Sequence, residues 1–322
     1  MIRGIQFIPD NVSINFLGMR YIAFVLSAIL VIASITLVVQ KGLNFGIDFT
    51  GGTVIEIKTP ITTPDLANMR TMLDQLNLGA ISIQTFGEPD DILIRLPQQE
   101  GGNENQQVAI EKVKTSLDVF FEEGGAVDYR RVEYVGPQVG EELKKAGFFA
   151  VLYSLGGILI YITFRFEWQF GVAAIIALAH DAIATIGFFA LTQMEFNLST
   201  VAAILMIAGY SINDTVVVFD RIRENLRKYK KMPLIELFNL STNQMLARTL
   251  MTSLSTLLAL VALWYFGGEV IRGFIDALIF GIAIGTYSSV FVAAPLLLFL
   301  NIRRDKSGEN TGPEEKIIEE TA

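Results

Sequence analysis

The chain has 322 residues, 52% of them hydrophobic, a net charge of −8, no cysteine and one histidine, His180. The acidic balance argues against nucleic acid as a partner, because phosphate binding needs a basic face. Without cysteine there is no disulfide or thiolate metal site, and a single histidine excludes a multi-histidine centre, so no metal or cofactor is expected. The apolar residues gather into blocks of about 18–25, roughly the number of helical residues that crosses a ~30 Å hydrocarbon layer.

In chain order, 1–20 is a short N-terminal segment and 21–39 the first span. That block is too long for a signal-peptide core, and mostly uncharged residues precede it. The stretch 40–145 is polar and reads as a small α/β domain. An alternating strand at 53–59 is followed by a helix that starts at Thr63-Pro64, with proline in its first turn, and runs to about Leu78. Short strands follow near 80–86 and 91–96, then a Gly101-Gly102-Asn103 loop, a helix over about 104–122 and a last strand at 127–135. The order β-α-β-β-α-β is the ferredoxin-like pattern. Nothing in it forms a nucleophile–base set, so binding or mechanical work is expected there and no enzyme activity.

Five further apolar runs, at 146–164, 170–192, 198–219, 249–266 and 274–300, complete the spans. The last is long for one helix and either tilts or ends near Pro295. A loop at 220–247 separates the fourth span from the fifth, and 301–322 is charged, poor in aromatics and expected to be a disordered tail. The expected fold class is thus a membrane bundle of six transmembrane helices with one inserted ferredoxin-like α+β domain outside the cytoplasm.

Lysine and arginine set the orientation. Arg221, Arg223, Arg227, Lys228, Lys230 and Lys231 lie between spans four and five, and Arg303, Arg304 and Lys306 lie in the tail. The N-terminus carries Arg3 and Arg20. The loop between spans three and four has no basic residue, and that between five and six has only Arg272. Both termini are therefore expected in the cytoplasm, with 40–145 on the far side.

An ionisable side chain inside a span is costly and marks a functional candidate. Four qualify: His180 and Asp181 in span three, Asp214 in span four and Arg248 at the start of span five. Glu195, Glu269 and Asp276 fall near span ends, within reach of water, and are set aside. Asp214 has the richest setting, in Tyr210-Ser211-Ile212-Asn213-Asp214-Thr215, where Tyr210 shares its face and Ser211 shares one with Thr215. A carboxyl among hydroxyls in a span suits a proton carrier.

Span five offers two polar stripes, Arg248-Thr252-Ser255 and Thr249-Ser253-Thr256. Similar depth allows an ion pair between Asp214 and Arg248, which conformational change would make and break. Arg248 equally fits a residue that snorkels to the cytoplasmic headgroups, and Asp214 a polar helix–helix contact. His180-Asp181 shares a face with Ala173, Ala177 and Ala184, where a structural hydrogen bond ranks ahead of a relay role. Gly281, Gly285 and Ser289 in span six, and Gly156-Gly157 in span two, read as packing faces.

Several stretches together resemble the SecD/SecF family of protein-export membrane proteins. They are Gly46-Ile47-Asp48-Phe49-Thr50-Gly51-Gly52-Thr53, Val135-Gly136-Pro137-Gln138-Val139-Gly140, His180-Asp181, Gly209-Tyr210-Ser211-Ile212-Asn213-Asp214-Thr215, Asp220-Arg221-Ile222-Arg223-Glu224-Asn225, and Arg248-Thr249 with Thr252-Ser253. The resemblance runs over nearly the whole chain and implies membership of the resistance–nodulation–division superfamily. It assigns Asp214 and Arg248 to a proton path. It also implies a separate SecD-like partner, the SecYEG translocon and YajC as neighbours in the lipid bilayer of the bacterial inner membrane, and unfolded preprotein as substrate. The size agrees, since transporters are often built from two related halves and six spans with one outer domain look like one half. Two other functions remain open at this point: a proton-driven exporter of small molecules or lipids, and a scaffold that moves no protons.

Overall fold

The structure, a computed structural model, describes residues 13–268, 271–300 and 302. A 3-10 turn at Leu17–Met19 leads into α1 (Arg20–Lys41), which ends at Gly42 in a conformation of positive φ. A single helical turn, α2 (Ile47–Thr50), precedes β1 (Gly52–Lys58). Then come α3 (Leu66–Asp74), the hairpin β2 (Ser82–Phe86) and β3 (Glu88–Leu96), α4 (Asn103–Phe120) and β4 (Asp128–Val135). The sheet order is β2-β3-β1-β4 with every neighbouring pair antiparallel, the split arrangement of ferredoxin-like folds.

Several element limits in this domain moved from those expected, and two of the starts have a clear cause. α3 starts at Leu66 and not at Thr63-Pro64, because Asp65 caps it by accepting from the Ala67 and Asn68 amides. β3 begins already at Glu88, since Gly87 takes a positive φ of 88° and turns the hairpin tightly. The core of this unit is Ile55, Ile57, Ile92 and Ile94 under Met69, Leu73, Val113 and Leu117, all fully buried. Each such side chain contributes roughly 1.5–3 kcal/mol relative to leaving it in water.

The remaining helices are α5 (Pro137–Arg165), α6 (Trp168–Thr192), α7 (Leu198–Lys228), α8 (Leu234–Phe266) and α9 (Arg272–Ser288), then a π-helical turn at Ser289–Ala293 and α10 (Ala294–Phe299). With α1, and with the last three elements counted as one, six helices among the described residues are long and apolar enough to cross a membrane. The last of them does not stop near Pro295. The wider π turn just before it accommodates a ring that lacks an N–H and would crowd the preceding carbonyl. The stretch 220–247, expected as a loop, is largely helical: α7 runs on to Lys228 and α8 starts at Leu234. Both extensions are amphipathic, with Ile222, Leu226, Leu237 and Phe238 buried between them. The expected tail and the basic residues Arg3, Arg303, Arg304 and Lys306 lie outside the described residues.

The small sheet lies face-down on the bundle. Val54, Glu56, Leu93 and Phe86 on its helix-free face look across a cleft of about 300 Å³ at Met194, Thr200, Arg272 and Phe274. The chain leaving α1 pairs with the α6–α7 connection: Phe196 N donates to Asn44 O at 2.8 Å, and Gly46 N donates to Phe196 O at 2.9 Å. Phe45, Phe49, Phe189 and Phe196 pack ring to ring around this joint.

Candidate functional site

α7 lies against α6, α8 and α9 and turns its polar residues toward them. Asp214 is 3% exposed, and its Oδ2 has no hydrogen-bond partner among the described residues. The Tyr210 hydroxyl, one turn earlier, and the Thr249 hydroxyl on α8 are likewise buried without partners. Thr252 and Ser253 of α8 lie close enough to act on the Asp214 carboxyl, although the Ser253 hydroxyl is also engaged with Thr286 of α9 at 2.7 Å. Arg248 acts on the carboxyl through its charge, but no ion pair joins the two among the described residues. Arg248 is exposed, because the two polar stripes of α8 face different ways. Thr249 and Ser253 point into the bundle, whereas Arg248 and Ser255 point out of it.

Asp181 holds a different position. It is 1% exposed and fully engaged: Ser211 of α7 donates to Oδ2 at 2.6 Å, Ser288 of α9 donates to the same atom at 2.7 Å, and His180 Nδ1 lies 2.9 Å from Oδ1. One carboxylate thus ties three helices together. Ser288 was not visible as part of this network from the sequence, where only the Gly281-Gly285-Ser289 spacing drew notice. That spacing is a packing face: Gly281 sits under Ile207, Gly285 under Ser211, and Ser289 pairs with Thr215 at 3.0 Å. Gly156 and Gly157 are different, since a Cβ at either would meet nothing within 4 Å. Among the described residues nothing packs on them.

Of the residues set aside, Glu195 is an ion-pair partner of Arg95 on β3, so it joins the sheet to the α6–α7 connection. Asp276 accepts from the Trp264 indole at 2.9 Å and ties α9 to the end of α8. Glu269 lies outside the described residues. Asp48 of α2 accepts from the Leu198 amide at 2.9 Å, placing a carboxylate at the N-terminus of α7, the helix that carries Asp214. Gly51 and Gly52 follow at φ 70° and 113°. A Cβ on Gly52 would stand 2.5 Å from the Leu96 carbonyl, so only glycine fits there. Gly140 of α5 packs on this turn, where a Cβ would lie 3.1 Å from Gly51 N.

At its cytoplasm-facing expected end, α7 is bound to α8 by Asn225, which donates to Ser241 Oγ and Gln244 Oε1, each at 2.9 Å. Arg221 donates to Gln244 at 2.6 Å and pairs with Glu224, so this member of the basic cluster has structural partners.

Residues 115–303 match the family described as protein export membrane protein SecD/SecF, C-terminal, and residues 36–59 match the SecD/SecF GG motif. The chain belongs to the SecD/SecF family. It is 45% identical to the protein translocase subunit SecF of Rickettsia bellii over 303 residues, covering 94% of this chain and 98% of that protein. Identity to the SecF subunit of Rickettsia prowazekii is also 45%, covering 94% of this chain and 96% of that protein. The crystal structure of SecDF from Thermus thermophilus, a translocon-associated membrane protein, superposes with a TM-score of 0.81 at 37% identity. That match covers 91% of this chain and 39% of the SecDF chain. A second SecDF structure, in a super-membrane-facing form, gives a TM-score of 0.66 at the same identity. The matched GG-motif stretch contains Asp48, Gly51 and Gly52, whose contacts reach both α5 and α7.

Proposed function

We propose that this chain is an accessory subunit of the Sec protein-export translocase, using the proton motive force with a SecD-like partner to promote translocation and release of preproteins across the bacterial inner membrane. Asp214 is the proton carrier of this reading, and Arg248 biases its charge as the helices around it shift. The observation that carries the reading is the buried, unpaired Oδ2 of Asp214, set among further unpaired hydroxyls on α7 and α8. A carboxyl held this way must change partners or charge when the bundle rearranges. The family and the SecF relatives supply the process to which that change is coupled.

In this reading both termini and the basic turn between α7 and α8 are cytoplasmic, and the sheet domain faces the periplasm. The SecYEG channel, YajC and unfolded preprotein are its neighbours there. The domain rests on the N-terminus of α7 through Asp48 and near it through Glu195, so a shift of α7 moves the surface that faces the emerging chain.

Asp214→Asn should abolish proton-dependent stimulation of preprotein export in membranes reconstituted with the partner and translocon. Stimulation that persists at the wild-type level would sink the role given to Asp214.

A further inference from the structure

His180 is the chain's only histidine, and the Asp214 reading leaves it without a task. Its Nδ1 lies 2.9 Å from Asp181 Oδ1, while Nε2 is buried with no partner among the described residues. Asp181 has no lysine or arginine paired with it among the described residues. An unbalanced charge at the centre of a spanning helix is costly, and a proton held on the pair offsets that cost.

The other carboxylate oxygen, Oδ2, accepts from Ser211 at 2.6 Å and lies 2.7 Å from Ser288, whose single proton it shares with the Gly285 carbonyl at 3.1 Å. Proton exchange is therefore left to Oδ1 and the ring. A histidine serving as a plain helix tie would have both ring nitrogens engaged. Here one nitrogen faces Asp181, and the other is an open position buried in the bundle.

The surroundings restrict what else can titrate with the pair. α7 brings Tyr210 and Asp214, and α9 brings Tyr287, whose hydroxyl is engaged with Ser27 at 3.1 Å and the Ala23 carbonyl at 3.0 Å. α1 brings the hydroxyls of Ser27 and Ser34 at its buried face, with Arg20, Tyr21 and Lys41 at its ends. On α5, Tyr153 and Tyr161 are exposed and Arg165 closes the helix, while the π turn and α10 bring no titratable group. At the far end of α9, Asp276 and Arg272 lie by Trp264.

We propose that His180 and Asp181 form a second proton-binding site in the bundle, separate from Asp214 and linked to α7 through Ser211. The link is short, since Ser211 stands three residues before Asp214 on the same helix. When Asp181 gives up its charge, its hold on Ser211 and Ser288 weakens, and α7 is freed relative to α6 and α9. The proposal deepens the proton-driven reading and rests on it for its purpose, whereas its test reads the imidazole ring and not export.

A single histidine makes that test direct. The full chain, carrying ¹⁵N-histidine and a purification tag free of histidine, is placed in lipid bilayers and both ring nitrogens are followed by NMR across pH. The ring of the wild type is expected to change charge state or tautomer within the range where the chain stays folded. Asp181→Asn should abolish that response or displace it along the pH axis, because it removes the carboxylate that faces Nδ1. Ser288→Ala, which keeps the carboxyl and removes one donor, should shift it as well, and Asp214→Asn should leave a responding ring. A ring fixed in one state at every pH overturns the proposal. So does a response that Asp181→Asn and Ser288→Ala leave unchanged, or one that Asp214→Asn removes.

Discussion

Asp214 keeps one carboxylate oxygen without a partner, whereas both oxygens of Asp181 are engaged. The two carboxyls are buried to a similar degree, so partners and not depth separate them. The polar cluster around Asp214 was legible in the sequence because hydroxyls at helical spacing are rare in an apolar run. The partners of Asp181 were not, since they come from helices far apart in the chain. For Arg248 the sequence supplied the residue but not its direction: two stripes of similar polarity lie side by side on α8, and only the neighbouring helices decide which is inside. The small residues of α9 make a sharper case. Any Cβ at Gly281 runs into Ile207 of α7, so Gly281→Leu should lower stability by roughly 1–3 kcal/mol, the usual cost of overpacking. Thermal denaturation of the purified chain in detergent should show the loss, and Gly281→Ala should be rescued by Ile207→Ala. A wild-type midpoint for Gly281→Leu would mean that α7 and α9 do not pack this closely.

Among the elements, the joint between the sheet and α7 matters most for coupling. Three contacts converge there: Asp48 on the Leu198 amide, Arg95 with Glu195, and the backbone pairing of Asn44 and Gly46 with Phe196. The Arg95 and Glu195 side chains are 13% and 27% exposed, so the pair is screened less than one on the open surface. A charge-assisted hydrogen bond in such a place contributes roughly 1.5–3 kcal/mol. Arg95→Glu sets two carboxylates face to face and should raise amide exchange across 193–197 by about tenfold or more, which hydrogen-exchange mass spectrometry reads directly. Reversing both charges, with Glu195→Arg added, should bring exchange back toward the wild-type rate. Exchange that ignores the first change would show that the backbone pairing alone holds the joint. The alternating strands and the helices between them were readable from periodicity. The joint was not, because Glu195 looks like any acidic residue at a span end until β3 folds over it.

At the scale of the whole molecule, the outward faces of α5, α7 and α8 are not those of a bundle wrapped only in lipid. Asn213, Arg248 and Ser255 are exposed there, and Gly156, Gly157 and Gly209 have open space where a Cβ would be. Polar and small residues on spanning helices favour another helix over hydrocarbon chains. The chain spans 39% of the SecDF chain that it superposes on, so a large part of that assembly lies outside it. A SecD-like bundle packed on α7 and α8 would cover Asn213 and Arg248 and enclose Asp214 between two halves. Because the native chain has no cysteine, single cysteines report this cleanly. Cysteines introduced at Asn213 or Ser255 should cross-link to cysteines in the partner's bundle in native membranes. One at Ile22, exposed on α1, the helix that packs on α6, should not. Arg248→Ala should weaken both the cross-link and the proton-dependent stimulation if the guanidinium works at that seam, while Arg248→Lys keeps the charge and should retain part of each. Equal cross-linking from Ile22 and Asn213 would place the partner elsewhere and leave Arg248 a headgroup-seeking residue.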